Sequence, residues 1–249
     1  MKNIKLTISY DGTHYLGWQE TRHGQSIEAS LKQALKQILQ EKIKLQAASR
    51  TDRGVHAQGQ VVNFFTSKKV LELSLLHKSL NTLLPPDIAI LSVQEAPLSF
   101  HPTIDCVKKK YLYHVCTSPV QLPQNRFYSW HFPRPLDKKA MLKEIPDFLG
   151  VQDFSSFCNQ KNNDPYSDTI REVMQITISS LPEKQLCFRI EGRHFLYKMV
   201  RNIVGYLLYV GCGKQKRGLV PSILHKKDRK LSAITAPAHG LSLFQVSYL

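Results

Sequence analysis

Arg50-Thr51-Asp52-Arg53-Gly54-Val55-His56 sets a carboxylate between two guanidiniums on a segment that has to turn. Gly54 takes positive φ without steric cost, so Asp52-Arg53-Gly54 reads as a tight turn. The apolar run Val61-Val62-Asn63-Phe64-Phe65 behind it reads as a strand over residues 60–66. A carboxylate on a turn beside a strand is one of two things. It is a turn former with a surface ion pair, or it is a nucleophile that the neighbouring arginines keep ionised. The heptad alone leaves both open.

Outward from it, the chain alternates strands and helices. Ile4, Leu6, Ile8 and Tyr10 share one face of a strand over 3–10, which Asp11-Gly12 ends. Ser26 is placed to cap a helix over 27–41, on which Ile27, Leu31, Leu35 and Ile38 recur at helical spacing. A short strand near 44–48 precedes the Asp52 turn. A helix over 71–84 stops at Pro85-Pro86, and a strand fits 88–94. Residues 100–110 read as a crossover. The second half holds a strand at 111–116, a helix over 138–149 interrupted near Pro146, and a strand pair at 173–179 and 185–191. A helix over 195–210 and a last strand at 241–248 complete it. Leu196, Val200, Ile203, Leu207 and Val210 make that helix's buried stripe, and His194, Lys198 and Arg201 a basic face. The expected fold is α+β: two similar mixed α/β halves, 1–104 and 105–249, with antiparallel sheets joined around a central basic cleft.

The bulk properties bound the partners. With 42% hydrophobic and 21% charged residues, the 249-residue chain can bury a sizeable core and is not disordered. Lys+Arg 34 against Asp+Glu 19 gives a formal charge of +15, which favours a polyanion, nucleic acid first. The apolar run from Ile203 to Val210 is far too short to span a bilayer, and the alternating N-terminus lacks a signal-peptide core, so a cytoplasmic protein is expected. Cys106, Cys116, Cys158, Cys187 and Cys212 form no Cys-x-x-Cys pair, which argues for reduced thiols. Clusters such as Lys108-Lys109-Lys110-Tyr111, with Tyr113 on the same face, pair phosphate contacts with rings for base stacking. Gly211-Cys212-Gly213-Lys214 misses phosphate-loop spacing. Asp52 with His56, and His101 with Asp105, lack further partners at ligand spacing, so no metal or other cofactor is expected.

The segment Arg50-Thr51-Asp52 … Gly54-Val55-His56-Ala57 resembles the catalytic motif of the tRNA pseudouridine synthase A family. The likeness runs in order along nearly the whole chain. It takes in Tyr10-Asp11-Gly12-Thr13 with Tyr15, Gly17, Trp18 and Gln19; Leu84-Pro85; Phe100-His101; and Lys110-Tyr111-Leu112-Tyr113. It continues through Gly150, Asp153-Phe154 and Phe157, then Phe195-Leu196 with Met199 to Gly205, and Ala236-Pro237-Ala238 with Gly240-Leu241 and Leu243. Ser49 stands where the family usually has glycine, Arg53 where it has a small residue, Lys110 where arginine is common, and Gln152 where histidine is usual.

The resemblance implies an isomerase that converts uridine to pseudouridine in the tRNA anticodon stem-loop, acting as a homodimer and without a cofactor. It implies Asp52 as the nucleophilic or proton-abstracting carboxylate and Arg201 as its ion-pair partner. Tyr111 would stack on or bound a flipped uracil, and Arg50, Lys110 and Lys198 would contact RNA. Two other readings stand beside it. A non-catalytic binder of structured RNA explains the charge and the aromatics. A carboxylate glycosidase or nuclease would need a second carboxylate or metal ligands, and none presents itself near Asp52 in sequence.

Overall fold

The computed structural model describes residues 1–68, 72–159 and 168–249. The chain divides into two units, Met1–Val107 with Ser242–Leu249, and Lys108–Leu241. Both mix helices and sheet, so the fold is α+β.

The first unit opens with β1 (Lys2–Tyr10), α1 (Ile27–Leu39), β2 (Gln46–Ala47), β3 (His56–Thr66), α2 (Leu73–Leu83) and β4 (Ile88–Ala96). β1 pairs antiparallel with both β3 and β4, and β2 pairs with β3. On β1, Ile4, Leu6 and Ile8 are fully buried while Lys5, Thr7 and Ser9 are half-buried, as period-two alternation requires. Ser26 caps α1, its hydroxyl accepting from the Ala29 N–H. Ile27, Leu31 and Leu35 on that helix are fully buried, each contributing about 1.5–3 kcal/mol as an upper bound.

The second unit holds β5 (Lys108–Cys116), β6 (Trp130–His131), α3 (Lys138–Glu144), β7 (Gly150–Asp153), β8 (Ile170–Leu181), β9 (Gln185–Gly192), α4 (Met199–Gly211) and α5 (Val220–Lys226). Its sheet runs β5-β9-β8-β7, each adjacent pair antiparallel. α4 is apolar nearly all round. Phe148, Phe157 and Tyr206 meet edge-to-face at 5.0–5.8 Å to seat it, and the Tyr206 hydroxyl donates to buried Glu144 at 3.1 Å.

Four features differ from the sequence reading. β10 (Leu241–Ser247) returns to the first unit and runs parallel to β3, with Ser242 opposite His56 and Leu243 opposite Ala57. Each unit therefore contains a parallel pair, since β6 also pairs parallel with β5. The long helix begins at Met199, not at 195. Lys198 sits at φ 61°, left-handed backbone that an α-helix cannot pass through, so His194 and Lys198 precede the helix and only Arg201 lies on it. The short β6, β7 and α5 were not expected. Of the helix read over 71–84, position 71 lies outside the described residues, and α2 covers Leu73–Leu83. Among the described residues no helix is long and apolar enough to cross a membrane.

Candidate active site

The Asp52 segment is a type II turn. The Val55 N–H donates to the Asp52 carbonyl at 3.1 Å, and Gly54, third in the turn, has φ 76°. Arg53, second in the turn, is exposed, as is Arg50; Asp52 is half-buried.

The backbone on either side is tied down in the first unit. Gln60, fully buried on β3, donates to the Ser49 carbonyl at 2.6 Å and accepts from the Ser49 N–H at 3.2 Å. The Trp18 N–H donates to the Thr51 carbonyl at 3.0 Å, and the Tyr10 hydroxyl lies 2.7 Å from the Thr51 hydroxyl. Gly17 makes this approach possible. Its φ is 100°, and a Cβ there would lie 2.7 Å from the Thr51 carbonyl oxygen. Ser49 and Thr51 are thus anchored through main-chain atoms, β3 takes up the chain from His56 with Ala57 paired to Tyr10, and Asp52 rides between these two held segments. Below the turn, His56 Nδ1 is 3.1 Å from both the Gly12 N–H and an Asp11 carboxylate oxygen. Nδ1 accepts from the Gly12 N–H.

In the second unit, Lys110 and Tyr111 are neighbours on β5. Tyr111 is 6% exposed and meets Phe195 edge-on at 5.3 Å. Lys110 lies 3.4 Å from Glu191, which Lys108 reaches at 2.8 Å. Burial works to raise the Glu191 carboxyl, and the two lysines together hold it below its ordinary value. Tyr113 is committed elsewhere: its hydroxyl donates to the Pro237 carbonyl at 2.7 Å, and burial pushes it above its ordinary range against the opposing charge of Arg201. Lys198 holds its ammonium 4.8 Å from the Tyr197 ring centre.

Arg201 is set in the first turn of α4. Its Nε donates to the Ala236 carbonyl at 2.7 Å, and the Ala236 N–H donates back to the Arg201 carbonyl. The strand of chain that offers Ala236 is itself held by Arg229. That guanidinium donates to Asn159, Ser232, the Ala233 carbonyl, Asn202 and Thr235, all neutral acceptors at 2.7–3.2 Å. Gln60 and Arg229 escaped the sequence reading. For Gln60 the available signal was a polar residue inside an otherwise apolar strand run; for Arg229 the basic cluster hid it.

Residues 6–105 and 145–249 match the family described as tRNA pseudouridine synthase. Over its full length the chain is 54% identical to tRNA pseudouridine synthase A 2 of Protochlamydia amoebophila, covering 95% of that protein. It is 41% identical to tRNA pseudouridine synthase A of Pelobacter propionicus and 39% to that of Thermoanaerobacter sp. (strain X514), covering 100% of each. The chain belongs to the tRNA pseudouridine synthase A family. Its enzyme class is accordingly that of an isomerase acting on tRNA. Among solved structures, an archaeal box H/ACA sRNP Nop10-Cbf5 complex aligns over 82% of this chain and 44% of that one, at 12% identity and a TM-score of 0.38. The five cysteines are reduced, and among the described residues no three His, Cys, Asp or Glu side chains gather as a metal set.

Proposed function

We propose that Asp52 carries out the isomerisation of uridine to pseudouridine in the tRNA anticodon stem-loop, as the nucleophilic carboxylate, with Arg201 as its ion-pair partner. The observation that supports this most is the anchoring of the Asp52 turn. A reacting group must be held to a fraction of an ångström, and here the main chain is tied at Ser49 and Thr51 on one side and enters the paired strand β3 at His56 on the other. The target uridine sits in a stem, so it must be flipped out before its sugar or base can be reached. Tyr111 bounds the extruded uracil, and Arg50, Lys110 and Lys198 hold the RNA backbone.

The reaction conserves atoms. The N1–C1′ glycosidic bond breaks, a C5–C1′ bond forms, and the proton leaving C5 is matched by one gained at N1. No redox partner or group donor enters. The carboxylate needs a cation beside it to stay ionised once the site closes over it, which is the part given to Arg201. The reading also includes a homodimer.

The test is an unmodified tRNA transcript incubated with the protein, with pseudouridine mapped along it. The native sequence should convert anticodon stem-loop uridines. Asp52→Asn, nearly equal in size, should abolish conversion while still binding tRNA. Substantial conversion by that variant would overturn the role given to Asp52. Sedimentation at micromolar concentration tests the dimer.

A further inference from the structure

A cavity of about 450 Å³ in the second unit has no part in the site described above. Trp130, Phe132 and Tyr209 supply rings to its wall, and Arg134 and Lys214 supply charge. Among the described residues, no aspartate or glutamate lines it. Its size falls within the range of about 300–1,000 Å³ that accepts a small organic ligand.

The arrangement is built rather than incidental. Trp130 and Phe132 meet edge-to-face at 4.9 Å, and Phe132 is 6% exposed, which fixes the indole from behind. Trp130 itself is only half-buried, so part of its ring remains open to a ligand. The Arg134 guanidinium lies 5.9 Å from the Phe132 ring centre, and the Lys214 ammonium 5.5 Å from that of Tyr209. The Lys214 N–H also donates to the Tyr209 carbonyl at 2.8 Å, which keeps the lysine over that ring. Both cations are exposed. An indole and two cations lining one cavity suit a flat aromatic group that carries a negative charge beside it, and an unstacked nucleotide has that chemistry.

We infer that this cavity is a second RNA contact, which takes one unstacked nucleotide of the bound tRNA, its base on Trp130 and its phosphate between Arg134 and Lys214. The net charge of +15 agrees with a polyanion spread over more of the protein than the reaction site. The inference rests on tRNA being the substrate.

Trp130 gives a direct readout, since the chain's other tryptophan, Trp18, is 3% exposed. An unmodified tRNA transcript should quench the protein's indole emission, and Trp130→Phe should lose most of that quenching. Trp130→Ala should weaken tRNA binding about 5- to 150-fold, the usual range for loss of one base stack, with kcat at saturating tRNA unchanged. Lys214→Ala, an exposed change that does not threaten the fold, should lower the slope of log affinity against log salt by about one. Binding is read on the same transcript whether or not it becomes modified. Absence of pseudouridine with the native protein sinks the functional reading; affinity within twofold of native for Trp130→Ala and an unchanged salt slope for Lys214→Ala sink this one. Emission that responds to protein concentration and not to tRNA would make the cavity an interface between copies, and also overturns it.

Discussion

Gln60→Leu removes the clamp behind the Asp52 turn and keeps the volume of the side chain. Gln60 makes two hydrogen bonds to Ser49, one as donor at 2.6 Å and one as acceptor at 3.2 Å. At about 0.5–1.5 kcal/mol each, their loss destabilises the protein by about 1–3 kcal/mol. Ser49 is half-buried, so water can reach part of what is vacated, and the middle of that range is the expectation. At this chain length each kcal/mol moves the melting point by about 2–4 °C, so a loss of about 4–8 °C should be seen. The effect on rate should be larger. Asp52 lies three residues beyond Ser49, and a displacement of about 1 Å at a reacting group costs on the order of 100-fold. Thermal melts and single-turnover pseudouridine formation at saturating tRNA measure the two effects. Gln60→Glu sharpens the logic, because it puts a carboxylate oxygen where an N–H faced the Ser49 carbonyl. Burial and that carbonyl raise the carboxyl's folded value above its unfolded value, so the variant is most stable in acid and loses stability as pH rises through about 4.3 and beyond. A Gln60→Leu protein that melts within a degree of native and turns over within twofold of it would refute the clamp.

Three further outcomes follow from other parts of the molecule. In the β8–β9 hairpin, Glu183 and Lys184 both take left-handed backbone, at φ 58° and 54°, in a turn closed by the Gln185 N–H to the Pro182 carbonyl; Glu183→Asn with Lys184→Gly should stabilise the protein by about 1–2 kcal/mol in urea titrations, with activity unchanged. Burial, and then the charges of Lys109, Arg193 and Arg171, push His194 down to about 4. The folded protein therefore holds fewer protons than the unfolded chain between that value and about 6.5, so stability present at neutral pH is lost as pH falls through this window. His194→Gln should flatten that part of the curve, read as urea midpoints at pH 7 and pH 4.5. Asp52→Asn should show native tRNA affinity with no product, in a filter-binding assay run beside the pseudouridine map.

What the sequence made legible follows from the range over which each feature is decided. β1 and α1 were readable because burial on one face leaves a period in the residues, and Ser26 announced its cap locally. The Asp52 turn was readable because only glycine is at ease at φ 76°. The start of α4 was not, because residues 195–198 carry the apolar pattern of a helix while Lys198 breaks it with a left-handed backbone that no local rule assigns to lysine. The place of β10 was hidden for a different reason. Its strand pattern is clear, but its pairing with β3 joins residues nearly two hundred positions apart, and alternation says nothing about partners. Gln60 and Arg229 belong to the same class, since their roles consist of contacts to Ser49 and to the 232–235 segment that only the folded chain brings near.

The four positions that the sequence reading expects to depart from the family's usual pattern have a physical reading. Ser49 meets Gln60 through its backbone N–H and carbonyl, atoms that a glycine would supply equally, so the substitution leaves the clamp intact. Arg53 occupies the second place of a type II turn, where ordinary backbone suffices and the side chain is exposed, so a bulky residue costs the turn nothing. Gln152 uses its amide to donate to the Asp147 and Leu149 carbonyls, both at 3.0 Å, a local fastening that a histidine ring N–H could share. Lys110 differs in kind. An arginine there would offer Glu191 a planar fork, whereas the lysine shares that carboxylate with Lys108 as a point charge at 3.4 Å. Three of the four departures therefore sit where the structure asks for a backbone or an exposed position or an amide hydrogen. The fourth alters how charge is presented beside Tyr111, which makes Lys110→Arg the informative exchange: if Lys110 holds RNA, the exchange should move KM for tRNA and leave the melting point where it is.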